Sequence, residues 1–209
     1  MKLIKYFVVI IAFTSIAFTN AQKNNIEVNP EAWTVYNREV DFNNNIIHLN
    51  AKDKDGVLWL NGTDFKNGII ELDLKGKDLN GQSFVGVAFH GLDNDAFDAI
   101  YFRPFNFKNP ERNTHSIQYI DMPKNEWSTL RKKFPGKYEN TVNPVPDPNE
   151  WFHAKIEVNY PEIKVYVNGS EEASLVVNQI SKRKNGKIGV WVGNGSEGWF
   201  KNFTITPEK

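Results

Sequence analysis

Gly186-Lys187-Ile188-Gly189-Val190-Trp191-Val192-Gly193 alternates without a break. Ile188, Val190 and Val192 take one parity, and Gly189, Trp191 and Gly193 the other. That is the period of an extended strand with one apolar face turned to a core. The second face is bare except for one indole. Ser83 to His90 repeats the design: Val85, Val87 and Phe89 read as the inward set, and Phe84, Gly86, Ala88 and His90 as the outward set. Small residues on that outward face leave room for a ligand.

Beyond these two segments, alternating or β-branched stretches recur with turn signals between them. They cover Ile46 to Leu49, Val57 to Leu60, Gly68 to Leu74, Ala99 to Arg103, His115 to Ile120, Phe152 to Val158, Ile163 to Val167, Leu175 to Val177 and Phe200 to Ile205. Asn61-Gly62, Asn168-Gly169 and Asn185-Gly186 supply the positive φ of tight hairpin turns. About eleven strands with such turns predict an all-β fold, an antiparallel two-sheet β-sandwich. The exception to short connections is Met122 to Glu150, long for a segment without structure of its own. Inside it Trp127, Leu130, Arg131 and Phe134 fall at helical spacing, with Asn125 as a cap, Lys132 and Lys133 at the end, and Pro135-Gly136 as the stop. One short helix in the long loop is the expectation.

Lys2 and Lys5 precede an apolar run from Phe7 to Phe13 and then small residues up to Ala21, the pattern of a signal peptide over residues 1–21. Cleavage near Ala21 would leave residues 22–209 as a single secreted or periplasmic domain. No later segment reaches the roughly 20 apolar residues of a membrane helix, so membrane insertion is not expected. With Cys 0, an acylated cysteine anchor is excluded, and the domain must be stable without disulfides. Lys+Arg 25 balances Asp+Glu 25, so no global field attracts nucleic acid. Trp 6 and an aromatic content of 13% give many rings of the kind that stack on sugars, although a β-rich core consumes aromatics as well.

The outward parity of Ala99 to Arg103 places Tyr101 and Arg103 beside the face that carries His90. A guanidinium fork, a phenol and an imidazole are the groups a sugar site uses. The competing reading pairs Arg103 with Asp98 and leaves Tyr101 covering the sheet. Trp191 reads equally as a sugar platform or as a ring beneath the long loop. For His115 to Ile120 the parity stays open, with either Gln118 or the pair His115 and Tyr119 facing the cleft. The ligand-binding candidates are therefore His90, Asp98, Tyr101, Arg103, Gln118, Trp127 and Trp191.

Glycoside hydrolysis needs two carboxyl groups, and the nearest local pair is Glu71 and Asp73, an alternation that any half-exposed strand shows. Asp93, Asn94, Asp95 and Asp98 carry enough oxygen for calcium, but their order is not that of a calcium loop, so no metal or other cofactor is expected and a plain acidic turn is favoured near Asp93 and Asp95. No Gly-x-Ser-x-Gly elbow, His-Glu-x-x-His helix or phosphate-binding glycine loop occurs.

The order of Phe65 to Leu74 early, Gly186 to Gly193 late and then Phe200-Lys201-Asn202-Phe203 resembles the concanavalin A-like lectin/glucanase superfamily. The middle block, Asp98 to Phe107, is similar to secreted bacterial members of it. The resemblance implies a jelly roll with ligand on the concave sheet face. In laminarinase-type members the active strand reads Glu-x-Asp-x-(x)-Glu; Glu71 and Asp73 match two positions, while Lys75 and Gly76 stand where the third carboxylate belongs. Another branch, named for 3-keto-disaccharide hydrolysis, shares the fold, and no catalytic set aligns from it onto this chain. The expected function is glycan binding, of an oligo- or polysaccharide, with hydrolysis of a glycosidic bond as an additional capacity; the alternative is a non-catalytic lectin-like or structural, protein-binding sandwich.

Overall fold

The structure, a computed structural model, describes residues 22–208, and the expected signal peptide lies outside the described residues. Fifteen strands occur among them. The first half of the chain supplies β1 (Asn24–Asn25), β2 (Trp33–Tyr36), β3 (Val40–Asn43), β4 (Ile46–Leu49), β5 (Gly56–Leu60), β6 (Gly68–Lys75), β7 (Val85–Gly91) and β8 (Asp98–Phe102). The second half supplies β9 (Ile117–Asp121), the helix α1 (Trp127–Lys133), β10 (Glu139–Asn140), β11 (Phe152–Asn159), β12 (Glu162–Val167), β13 (Leu175–Asn178), β14 (Lys187–Val192) and β15 (Gly198–Pro207). All pairings are antiparallel. One sheet runs β13-β12-β11-β6-β15-β4-β3, with β1 added on β15, and the other runs β10-β9-β8-β7-β14-β5-β2. This is the antiparallel two-sheet sandwich that the alternation predicts, and the jelly roll that the resemblance implies.

The alternation works because each strand gives one parity to a shared core. In β6, Ile70, Leu72 and Leu74 are fully buried while Glu71 and Asp73 lie on the opposite face. From the second sheet, Val85, Val87, Ile100, Phe102, Val190 and Val192 are equally buried. Phe102 meets Phe152 edge to face at 5.0 Å between centroids, which locks the two sheets together. Burying such side chains contributes about 1.5–3 kcal/mol each, and this replaces the stabilisation that disulfides would otherwise give.

Some elements escaped the periodicity. β1 and β10 are two residues long, and β2 and β3 sit at sheet edges where only one flank is buried. β3 and β4 are joined by Asn44 and Asn45, both at positive φ (50° and 60°), a two-residue turn that asparagine tolerates. The expected helix exists, and Leu130 is its buried anchor. Its cap differs from expectation: Glu126 holds the N-cap position, and the Asn125 amide instead donates to Asp121 at 2.7 Å. That bond ties the start of the long loop back to the end of β9.

Candidate functional site

A single rung crosses the second sheet. Glu139, Gln118, Tyr101, Gly86, Trp191 and Val57 are successive register partners on β10, β9, β8, β7, β14 and β5. They share the face opposite the core parity of Val87, Ile100 and Val190. Glycine at the middle of the rung is required. A Cβ on Gly86 would stand 2.2 Å from the Ile100 carbonyl oxygen and 2.6 Å from the Tyr101 Cα, both backbone atoms that cannot step aside. With hydrogen there, the Tyr101 and Trp191 rings approach across the intervening strand to 5.0 Å between centroids.

Arg103 follows Tyr101 by two residues and so reaches the same face. Its Nη2 donates to the Tyr101 hydroxyl and, at 2.7 Å, to Gln118 Oε1, while Nη1 donates to the His115 carbonyl at 2.9 Å. The guanidinium also lies over the Tyr101 ring, 4.8 Å from its centroid. Burial lowers the Arg103 pKa, yet a guanidinium starts so high that it stays cationic. Burial also pushes the Tyr101 phenol up to about 12, so the hydroxyl keeps its proton. It accepts from Arg103 and can still donate.

Behind Arg103 lies Glu139. Arg131, from α1, grips it through Nε to Oε1 at 2.9 Å and Nη2 to Oε2 at 2.6 Å. Arg103 Nη1 is 3.9 Å from the same Oε2. His115 Nδ1 comes within 2.9 Å of that oxygen but off the line of a hydrogen bond, and the ring nitrogen is left without a partner. Burial alone would raise the Glu139 pKa; Arg131 first, then His115 and Arg103, outweigh it and hold the carboxyl below the ordinary range.

Over this floor stand Phe84 and Trp127, and they divide an open cleft into two cavities of about 230 Å³ each. The first is lined by Tyr101, Trp191, Trp127, Phe84 and two carboxyls, Asp55 and Glu126. Asp55 is half-buried just before β5. Burial raises its pKa, and the negative charge of Glu126 adds to the rise, although Arg38 pulls the other way. Arg38 is itself fixed, by Nη2 donating to the carbonyls of Lys54 (2.7 Å) and Gly193 (2.9 Å). Trp191 Nε1 lies near enough to the Asp55 carboxyl to lower its pKa as a donor, but makes no hydrogen bond of acceptable geometry. A buried indole N–H without a partner is a donor awaiting an acceptor. Glu126 is exposed at the rim and accepts from the Ser128 hydroxyl at 2.9 Å.

Of the seven sequence candidates, Tyr101, Arg103, Trp127 and Trp191 line the cleft, and Gln118 holds Arg103 from below. The open parity of β9 is resolved by splitting the alternative pair: Gln118 faces the cleft side and Tyr119 turns to the core, while His115, in a 3-10 turn just before β9, also lines the cleft. His90 and Asp98 are not brought to the cleft. A register shift between Lys187 and Gly189 and the positive φ of His90 (48°) break the alternation at the end of β7. The His90 ring is fully buried on Phe65, 5.8 Å between centroids, and its Nε2 bonds the Lys66 carbonyl. Asp98 shares the inward parity of Ile100 and Phe102 and pairs with Arg183, not Arg103.

The Glu71 and Asp73 pair lies on the other sheet, around His153, whose Nδ1 is 2.8 Å from Asp73 Oδ1 and whose Nε2 is 3.6 Å from Glu71 Oε1. Asp93 Oδ1 accepts from the backbone of Asp95 and Ala96, a local acidic turn. Sequence reasoning passed over Asp55, Glu126 and Glu139. Asp55 sits in Lys52-Asp53-Lys54-Asp55, which reads as a solvated charged turn, and Glu139 has no periodic context at all.

A jelly-roll sandwich with an aromatic-walled cleft on one sheet is the class that fold and site define. The chain belongs to the 3-keto-alpha-glucoside-1,2-lyase-like domain family, which it matches over residues 23–206. No curated protein matches it in sequence. Among solved structures, the carbohydrate-binding module CBM66 from Bacillus subtilis is similar at 16% identity and a TM-score of 0.62, with 85% of this chain and 96% of that one covered. The VIP36 exoplasmic/lumenal domain bound to calcium and Man3GlcNAc is similar at 13% identity and 0.58, covering 86% and 85%. A native glycosidic hydrolase follows at 13% and 0.59, covering 92% and 99%. At such identities these likenesses show the shared fold. Among the described residues, no helix is long and apolar enough to cross a membrane.

Proposed function

We propose that this protein is a secreted, glycan-active domain that seats a sugar ring in the cavity between Trp127 and the Tyr101–Trp191 pair, and that Asp55 and Glu126 equip it to break a glycosidic bond there. One observation carries the reading: two carboxyls in different environments, a buried indole N–H without a hydrogen bond and the aromatic walls of Tyr101, Trp191, Phe84 and Trp127 all converge on one cavity. The rings offer apolar faces to the C–H side of a sugar, and the Tyr101 hydroxyl and Trp191 N–H offer donors to its oxygens. A half-buried carboxyl with a raised pKa suits a general acid; an exposed one suits a base.

Family membership narrows the chemistry. A 1,2-lyase acting on a 3-keto glucoside removes the proton on C2, next to the ketone, and expels the oxygen on C1, so that C1=C2 forms as the C1–O bond breaks. Hydrolysis instead adds water at C1. Both need a base and an acid across one bond, and Asp55 with Glu126 can fill these roles in either reaction. Binding without turnover is the second reading, favoured by the Glu126 carboxylate, which bonds Ser128 at the rim.

The test is product analysis with 3-keto and ordinary disaccharides on the wild type, Asp55→Asn and Glu126→Gln. An unsaturated keto sugar identifies elimination, and a new reducing end identifies hydrolysis. The reading expects either variant to lose roughly 10²-fold or more in kcat, in keeping with general acid–base catalysis, with sugar binding retained. Binding with no turnover of any sugar makes the domain lectin-like; neither binding nor turnover removes the proposal.

A further inference from the structure

The second cavity of the cleft differs from the first in charge. Among the described residues, its lining carries Arg103, Arg112, Arg131 and His115 and no aspartate or glutamate, whereas the first cavity carries Asp55 and Glu126 and no lysine, arginine or histidine. The two meet at Phe84 and Trp127, and the chain as a whole has a formal net charge of +0. The positive end is therefore a local construction. Glu139 is shared by Arg131 and Arg103, so its single negative charge offsets one of the three positive charges, and it is itself buried behind Arg131, out of a ligand's reach.

The fixed groups at this end also have capacity left over. Arg112 is exposed, and its one side-chain bond is from Nη1 to Asn80 Oδ1 at 2.9 Å. Asn106 is 3% exposed; its Nδ2 donates to the His115 carbonyl at 3.1 Å, which leaves Oδ1 as a buried acceptor with no donor. The arginines call for an anion, and the amide oxygen calls for a hydroxyl. A ligand that offers both is a hydroxylated ring with an acidic substituent.

Resting on the saccharide reading above, we infer that the preferred ligand is an acidic saccharide, whose carboxylate or sulfate sits at the Arg112–Arg131 end while the adjoining ring lies in the Asp55 cavity. The division follows from electrostatics. An anion is repelled from the end that holds the exposed Glu126 carboxylate and drawn to the end that holds the arginines, so charge fixes the direction in which the sugar chain enters.

Calorimetric titration of the protein with a uronate trisaccharide, its carboxyl-reduced neutral counterpart and a sulfated form of the neutral sugar tests this. The acidic forms should bind roughly tenfold tighter or better than the neutral one, as expected for one charge-assisted hydrogen bond, and the advantage should shrink as salt rises. Arg112→Gln should cut that preference several-fold while leaving neutral-sugar affinity in place. The double change Arg131→Gln with Glu139→Gln removes one charge of each sign without stranding a buried carboxylate; it should cut the preference less than Arg112→Gln does, read as the ratio of acidic to neutral affinity because Arg131 also lies over the Trp127 ring. Whether carboxylate or sulfate gains more distinguishes the two sources of charge. Equal affinity for acidic and neutral sugars, or a preference unmoved by both variants, overturns the inference and leaves the saccharide reading intact. No binding of any of the three sinks both.

Discussion

Two polar networks flank strand β8, and they differ in completeness. On the core side, Asp98 accepts from the Tyr119 hydroxyl at 2.5 Å, Ser181 Oγ at 2.8 Å and Arg183 Nε at 3.0 Å, while Arg183 Nη2 reaches Asp121 at 2.6 Å. Gln179 joins them, and its Oε1 is the one acceptor there without a donor. On the cleft side, the Arg103 cluster leaves Gln118 Nε2, His115 Nδ1 and Asn106 Oδ1 unpaired, with Trp191 Nε1 beyond them. A buried polar group without a partner costs about 1–3 kcal/mol. The core network has closed nearly all of its valences and holds loops together; of the open groups on the cleft side, His115 Nδ1, Asn106 Oδ1 and Trp191 Nε1 belong to residues that line a cavity, while Gln118 lies beneath them. Satisfaction of hydrogen bonds, more than the presence of charge, distinguishes the two clusters.

The largest effect should come from breaking the closed network. Asp98→Ala strands Arg183 and Tyr119 beside the core, and removing one partner of such a buried pair costs about 3–5 kcal/mol. Urea unfolding should show the loss, with saccharide affinity of the remaining folded protein little changed.

The same carboxyl sets a pH signature. Burial, opposed by Tyr119 and Arg183, pushes its pKa up to about 6. The folded state therefore holds this proton more tightly than the unfolded chain does. Its contribution is fully present below the unfolded carboxyl range and is lost as pH rises through about 6, an amount of about 3 kcal/mol at most. His90, whose pKa burial lowers, acts in the opposite direction over part of the same window, and Asp55 in the same one. The comparison is therefore between the wild type and Asp98→Asn, whose stability difference should widen in favour of the wild type as pH falls from 7 to 5. A difference that stays flat over that window contradicts the buried-acid assignment.

Gly86→Ala probes the rung itself. The backbone clash it creates should cost about 1–3 kcal/mol and push Tyr101 off Trp191, so affinity should fall by more than the loss of stability implies. Saccharide titration beside a thermal melt checks both numbers.

Trp127→Ala is the mildest change for the fold. The ring is 47% exposed, and its removal should move stability by no more than about 0.5 kcal/mol while weakening saccharide binding roughly tenfold. A large loss of stability with unchanged binding would make Trp127 a packing residue of the long loop.

The sandwich was legible because its strands obey a period of two, and the outward indole of Trp191 was legible for the same reason. Tyr101 and Arg103 followed from parity alone. His90 was misplaced because a bulge at the end of β7 reverses the face, and nothing in Ala88-Phe89-His90-Gly91 announces a histidine at positive φ. Asp98 was drawn toward the cleft by proximity in sequence, although its own parity with Ile100 and Phe102 points to the core. The carboxyls of the cleft were hidden for a different reason. Asp55 and Glu126 lie in loops, where no periodicity reports direction, and they meet only because β5 and the Met122 to Glu150 segment converge beside Trp191.

The central claim is that a saccharide occupies the face marked by Trp191 and Trp127. The six tryptophans report on it separately through their indole N–H resonances. On titration with an acidic oligosaccharide, the Trp191 and Trp127 signals should shift, Trp191 most, as its free N–H gains an acceptor, while Trp33 and Trp59 stay still. Shifts confined to Trp151 and Trp199, or none with any sugar, would contradict the account.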